Sequence, residues 1–212
     1  MRTLLVLLIA ACLAAPALAI LPSPFIGGNL QVNSPTGKFS QTDFVNKEGG
    51  AKTGLGGEFD VGIGSDMGEL YAGYRFGKNN VKSTYTPPVG PSVTAEGEWN
   101  LNRFVIGVRA HLFGSLPITP TVGGGITLGK TKLSGDVSSN VAQSSSETSS
   151  NKMGWFLEGG GLIHFPSAPL SILADIQYHR FNAEFATPLF DVTYDISFFT
   201  FQLGLQYSFI SG

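Results

Sequence analysis

Cysteine is almost missing from the chain, with one residue, Cys12, in 212. A single thiol excludes a disulfide framework and any multi-cysteine zinc or iron–sulfur centre. Charge is scarce as well: Asp, Glu, Lys and Arg make up 13% of the residues, where a soluble globular chain carries about 25%. With 13 basic and 15 acidic side chains and a formal net charge of −2, there is no basic field for nucleic acid and no acidic tail. Beyond residue 19 no apolar run reaches the roughly 18 residues of a transmembrane helix, so a helical membrane protein is excluded. What abounds is glycine, 28 residues, and phenylalanine, 16, in a chain that is 42% hydrophobic. That composition excludes disorder, and the length fits one domain.

The amino terminus has the build of a secretory leader. Arg2 precedes the apolar run Thr3-Leu4-Leu5-Val6-Leu7-Leu8-Ile9-Ala10-Ala11, and Ala17-Leu18-Ala19 supplies a small-x-small cleavage site. A membrane anchor would need a longer run, and Pro16 interrupts this one. Ile9-Ala10-Ala11-Cys12 resembles a lipoprotein box, but the better site lies after it. The expectation is a signal peptide at 1–19, export with cleavage after Ala19, and a β-barrel domain over 20–212. Cleavage removes Arg2 and Cys12, leaving 12 basic against 15 acidic residues, a net charge of −3 and no thiol.

Past Ala19 the recurring signal is alternation with period 2. From Leu55 to Gly64 one face carries Leu55, Phe59, Val61 and Ile63, the other Glu58, Asp60 and glycines. From Glu69 to Gly77 the apolar face is Leu70, Ala72, Tyr74 and Phe76, opposite Glu69, Tyr71, Gly73 and Arg75. Arg103 to Leu112 sets Phe104, Ile106 and Val108 against Arg103, Val105, Gly107, Arg109 and His111. The pattern repeats over 118–129, 155–165, 170–179 and 199–209, and with a weaker segment around Phe25 to Asn33 the count is eight strands. Connections alternate between turns of about four residues and longer segments, three of them polar or Pro-rich: Pro35 to Thr53, Thr86 to Ala95, and the serine-rich Ser134 to Lys152, expected to be mobile.

Short turns at one end and long loops at the other describe a transmembrane barrel with periplasmic turns and extracellular loops. The soluble alternatives are a lipocalin-type barrel and a β-sandwich, both of which need a hydrophobic interior. Here the glycine-rich face cannot fill one, and the bulky face would aggregate in water. In lipid that bulky face is what the bilayer demands, and closure satisfies every strand edge. The fold class read from the sequence is therefore all-β: an eight-stranded antiparallel up-and-down transmembrane β-barrel.

The last strand, Gln202-Leu203-Gly204-Leu205-Gln206-Tyr207-Ser208-Phe209, resembles the carboxy-terminal assembly signal of bacterial outer-membrane proteins, with Gln202, Gly204, Tyr207 and Phe209 in the signal positions. Family members often stop at the aromatic residue, whereas Ile210-Ser211-Gly212 follows here. The chain after residue 19 is similar to the small OmpA-like and OmpX-like barrels, which include opacity-type surface proteins. The resemblance implies an outer-membrane location, contact with outer-membrane lipids including lipopolysaccharide, and delivery to the barrel-assembly machinery through the last strand. No peptidoglycan-binding domain follows strand eight, so periplasmic anchoring is not implied.

Parity points Glu58, Asp60, Glu69, Glu158 and Asp175 inward together with Arg75, Arg103 and Arg109. Charges in a low-dielectric tube are costly unless paired, so these residues are expected to form a salt-bridged plug. A small-solute pore is the alternative, with room for water at Gly62, Gly73, Gly107, Gly123 and Gly160. Barrels that modify lipid A keep a Ser or His near the outer rim, and His179 is placed near that rim. The His-x-Ser arrangement of deacylase barrels is absent, so no catalytic residue is assigned. His111, His164 and His179 fall on different strands, which assigns no metal and no cofactor. The expected working parts are the loops of a monomer, presented for surface contact, adhesion or envelope integrity. Phe39, Phe44, Tyr85, Pro87, Pro88, Leu189 and Phe190 are the apolar residues in them, set either to meet a ligand or to fold onto the rim.

Overall fold

The computed structural model describes residues 23–40, 47–85, 93–113, 116–138, 143–149, 152–165, 168–186 and 191–209. The leader, the tail after Phe209, and the loop residues Phe44, Pro87, Pro88, Leu189 and Phe190 lie outside them, as do the side chains of Phe39 and Tyr85. The strands are β1 (Ser23–Thr36), β2 (Lys47–Ala51), β3 (Gly54–Ser65), β4 (Gly68–Tyr85), β5 (Val93–His111), β6 (Ile118–Ser138), β7 (Gln143–Thr148), β8 (Lys152–His164), β9 (Leu170–Ala186) and β10 (Asp191–Ser208). Every pairing is antiparallel. β1 joins β10 and β4 joins β5, so the sheet closes into an eight-stranded barrel. The ten segments make eight staves because β2 continues the line of β3 along β4, and β7 continues β8 along β6.

Two hydrogen-bond clamps hold the staves where they break. Below β2, Lys52 donates its backbone N–H to the Asn80 carbonyl at 2.7 Å, and Asn79 Nδ2 donates to the Lys52 carbonyl at 2.9 Å. Below β7, Ser149 Oγ accepts the Thr131 N–H at 2.9 Å while its own N–H donates to the Thr131 carbonyl at 2.8 Å. Backbone groups released by the breaks thus keep partners.

The long connections differ from the loops read in the sequence. β4 runs to Tyr85 and β5 starts at Val93, while β6 continues to Ser138 and β7 takes up 143–148 within the segment expected to be mobile. Ladder hydrogen bonds need no apolar face, so polar strands wet on both sides still pair. Alternation of hydrophobicity marks only the stretch where one side meets lipid. Cross-strand ion pairs decorate the protruding hairpins: Lys82–Glu96 at 2.6 Å, Lys78–Glu98 at 2.5 Å and Arg180–Asp195 at 2.7 Å. The ammonium of Lys82 holds the Glu96 carboxyl below the usual carboxylate range.

The outward face carries a continuous apolar band, with Leu30 at 78% and Leu55 at 71% exposure. Moving towards the long-loop end, outward residues change from apolar to polar on five staves, from Phe76 to Lys78, Phe104 to Asn102, Leu128 to Lys130, Tyr178 to Arg180 and Val32 to Ser34. Outward aromatic contacts run along that boundary, with Tyr74–Phe104 at 5.2 Å, Trp155–Tyr178 at 5.6 Å and Tyr178–Phe199 at 5.2 Å between centroids. At the other end Tyr207 and Phe209 meet edge to face at 5.3 Å. Such girdles mark the two interfaces of a transmembrane barrel.

Glycine abundance has a volumetric cause. In the lumen a bulky residue faces a glycine on the neighbouring stave: Phe25 with Gly62, Tyr71 with Gly107, Arg109 with Gly123, Phe156 with Gly125, Arg103 with Gly129 and Asp175 with Gly160. A Cβ at Gly107 would stand 2.6 Å from the Tyr71 ring, and one at Gly62 would stand 2.6 Å from that of Phe25. An eight-stranded bore is only wide enough for side chains to fill, so the glycines make room for these six large groups across the ladder.

Candidate functional site

The lumen of the barrel holds the polar groups of the fold in three levels. Nearest the short turns, Ser23, Phe25, Glu69, His111, His164, Ser171 and Gln206 line a cavity of about 180 Å³. His164 Nδ1 lies 3.0 Å from Ser171 Oγ, and His111 Nε2 lies 3.5 Å from Glu69 Oε1. Sequence reading passed over the His164–Ser171 pair, because the two residues fall on the separate strands β8 and β9 and only the register His164↔Ser171 brings them together.

Above the cavity lies the ionic level. Arg109 is its hub, 2.6 Å from Glu69, 3.2 Å from Glu158 and 3.7 Å from Asp175. Tyr71 donates its hydroxyl to Glu158 at 2.9 Å, and Gln177 donates to the same carboxylate at 3.0 Å. Arg75 binds Glu58 at 2.5 Å. Amides complete the level: Gln31 donates to Glu58 at 2.8 Å and to Gln202 at 2.9 Å, Gln202 to Asp175 at 2.9 Å, and Gln206 to Glu69 at 2.6 Å. Six of the eight charges assigned to the lumen are brought together by these contacts. Asp60 and Arg103 are buried with them but make no ion pair among the described residues. Arg103 instead donates to Thr127 Oγ1 at 2.8 Å and lays its guanidinium over the Phe181 ring, a cation–π arrangement that partly offsets a buried charge. The expectation of ion pairing is corrected for these two residues: the ladder sets Arg103 beside the like charge of Arg75, and Asp60 between Gly27 and Gly73.

The third level is apolar, and it corrects the reading of a wholly polar bore. His179 stacks between Phe156 and Phe198, with ring centroids 5.5 and 4.8 Å away, and Arg75 Nη1 lies 2.9 Å from its Nε2. It is 1% exposed, so His179 belongs to the packed interior rather than to an accessible rim. Trp99, Leu101, Phe181, Ala183, Ile196 and Phe198 form a buried cluster towards the long hairpins. Below it Phe25, Tyr71, Val105 and Phe156 form a second one. The ionic level is therefore covered by apolar side chains on the long-hairpin side, while Glu69 borders the polar cavity on the other; burial strengthens its internal hydrogen bonds and raises the cost of leaving any charge unpaired.

The signal residues of the last strand divide by parity. Gln202 and Gly204 point into the lumen, Gly204 beneath the Asn29 side chain, while Tyr207 and Phe209 face outward. Among the described residues no three His, Cys, Asp or Glu side chains converge as a metal site.

A closed antiparallel barrel with an apolar outer band, two aromatic girdles and a filled lumen is the architecture of an outer-membrane barrel. The family model described as outer membrane protein beta-barrel domain matches residues 3–209, and the chain belongs to that family of the bacterial outer membrane. Two solved structures are similar to it. Neisserial surface protein A (NspA) is 12% identical with a TM-score of 0.58, covering 88% of this chain and 97% of that one. OprG from Pseudomonas aeruginosa is 12% identical with a TM-score of 0.60, covering 90% and 97%. At that identity the likeness is one of fold. No curated protein matches the chain by sequence.

Proposed function

We propose that this outer-membrane barrel is a closed scaffold whose work is done at the cell surface, through the hairpins that rise beyond the bilayer, in surface contact, adhesion or envelope integrity. The observation that carries the reading is the filled lumen: the Arg109 and Arg75 ion pairs lie under an apolar layer of Trp99, Leu101, Phe181 and Phe198. A plugged bore leaves the exterior as the working surface, and binding residues gather on loops held by a rigid frame. The chain acts as a monomer without a cofactor, and catalysis is no part of its role. In support, His179, the histidine expected at the outer rim, is packed between two phenyl rings with its ring nitrogens against Arg75 and Gln177. Export follows removal of residues 1–19 after Ala19, and the assembly machinery reads the last strand through Tyr207 and Phe209.

Planar-bilayer recording tests the scaffold. Purified protein is expected to give no steady single-channel current, and Arg75→Ala is expected to leave that baseline unchanged. Steady currents that shift with Arg75→Ala or Glu158→Ala would assign the second reading, a small-solute pore. The cavity of about 180 Å³ at the short-turn mouth is the feature in favour of that second reading.

A further inference from the structure

We propose that the α-ammonium group of Ile20, created when the leader is cut away, folds back into the short-turn mouth of the barrel and pairs with Glu69, so that the mature chain seals its own bore. The inference rests on the removal of residues 1–19 proposed above. Its receptor is the cavity of about 180 Å³ at that mouth. Ser23 lies on the cavity wall, at one end of a ladder row that runs from Ser23 on β1 to Gly64 on β3 and Glu69 on β4. Gly64 has no side chain, and a Cβ there would stand 3.1 Å from the Glu69 Cγ. The way from Ser23 to the carboxylate is open for that reason. His111 faces the same cavity with a side chain 5% exposed, and its Nε2, 3.5 Å from Glu69 Oε1, has no hydrogen-bond partner among the described residues. Phe25 and Leu162 give the cavity an apolar side.

Charge calls for a cation here. The buried interior holds five carboxylates, Glu58, Asp60, Glu69, Glu158 and Asp175, against the three guanidiniums of Arg75, Arg103 and Arg109. Five against three leaves two negative charges unbalanced where burial makes them costly. Asp66 lines the cavity as well and makes no ion pair among the described residues. An α-amino group, with an ordinary pKa of about 8, is charged at neutral pH. It has three protons to donate, and Glu69 Oε1 and a neutral His111 Nε2 are acceptors that lie side by side. Reach is sufficient. Residues 20–22 lie outside the described residues, and three residues span up to about 10 Å, which equals the two strand spacings of about 4.8 Å between Ser23 and Glu69. Pro22 has no N–H with which to carry the β1 ladder further, so the chain can leave the wall at that point. The Ile20 side chain then meets Phe25 and Leu162. A precursor that keeps its leader has no ammonium at position 20, which couples closure of the mouth to leader removal. A mouth closed in this way also removes the feature that favours a pore.

The test is the reactivity of the α-amine in the full chain extracted from the outer membrane in mild detergent, with its first residue defined by intact mass. The chain is treated at pH 7 with a limiting amine-acetylating ester, folded or unfolded in urea, and the amino-terminal peptide is quantified by mass spectrometry. Each unit by which an ion pair raises the titration of the amine cuts its reactive fraction tenfold. The folded wild type should therefore react about tenfold or more slowly than the unfolded chain, while Lys132, exposed on β6, reacts alike in both. Glu69→Gln should restore most of the rate and His111→Gln part of it. A heat-dependent gel shift verifies that each variant is folded, and His111→Gln alone serves if Glu69→Gln is not. An Ile20 amine as reactive in the folded barrel as in urea overturns the site alone, as does protection that is the same in wild type and variants. A chain whose mass begins at another residue overturns the cleavage reading and the site with it.

Discussion

Arg103 and Arg109 are six residues apart on one strand, both buried, and their environments differ completely. Arg109 touches three carboxylates, so Arg109→Met strands three buried acids and is expected to cost about 3–5 kcal/mol. Equilibrium unfolding in lipid vesicles measures it, and adding Glu69→Gln and Glu158→Gln to the variant should recover most of the loss. Arg103 has Thr127 and the Phe181 ring but no acid. Arg103→Met therefore removes an uncompensated charge, and its stability should lie within about 1 kcal/mol of wild type or above it. A loss at position 103 as large as that at 109 would refute this account of the lumen. Charge identity and inward direction at both positions were legible from alternation. Which arginine meets an acid was not, because pairing depends on the height at which each strand enters the barrel, and no single strand records the stagger.

For a strand, the outward row is read by its solvent. Leu203 faces lipid on β10, opposite Leu30 on β1, both exposed on the barrel wall. Leu203→Lys should cost about 2–4 kcal/mol in vesicles, whereas Lys130→Leu, at the polar boundary, should change stability by less than about 1 kcal/mol. Similar values at the two positions would show that the apolar band is misplaced. The band itself could be read from the sequence, since apolar residues recur in one phase at 55, 59, 61 and 63 and at every second position from 199 to 209. The protruding parts of β4 to β7 could not. Polar residues there fall in both phases, and period 2 in hydrophobicity vanishes where neither face meets lipid. The inward aromatics were hidden for a related reason. Alternation puts Phe199 on the lipid face with Phe201 and Leu203, but the pattern read from 199 onward omits Phe198, which is in phase with Thr200 and Gln202. The ladder shows what an inward Phe198 meets, since it opposes Phe198 to His179 and Phe199 to Tyr178.

At the scale of the molecule, the protruding hairpin of β6 and β7 is joined to the membrane part through the clamp at Ser149 and Thr131. Replacing residues 135–147 by a short turn should leave the folded fraction and the heat-modifiable gel mobility as in wild type, while any surface binding that maps to this hairpin is lost. Failure of the shortened chain to assemble would mean that the hairpin belongs to the folding unit. Closure explains the expected tolerance: each stave is bonded on both sides below the break, so no edge is exposed when the upper ladder is removed.

The matching of bulky lumen residues to glycines across the ladder has a consequence for how such a chain changes over time. Space in the bore is a property of two positions together, so a substitution scan taken one site at a time overstates the constraint. Gly107→Ala should cost about 1–3 kcal/mol by crowding the Tyr71 ring, yet trading the two residues, Tyr71→Gly with Gly107→Tyr, keeps the filled volume and should be milder than the separate effects combined. Unfolding of the three variants measures the coupling. Inheritance by exchange within pairs leaves the bore filled while individual letters drift, which accords with a shared fold between this barrel and OprG at 12% identity.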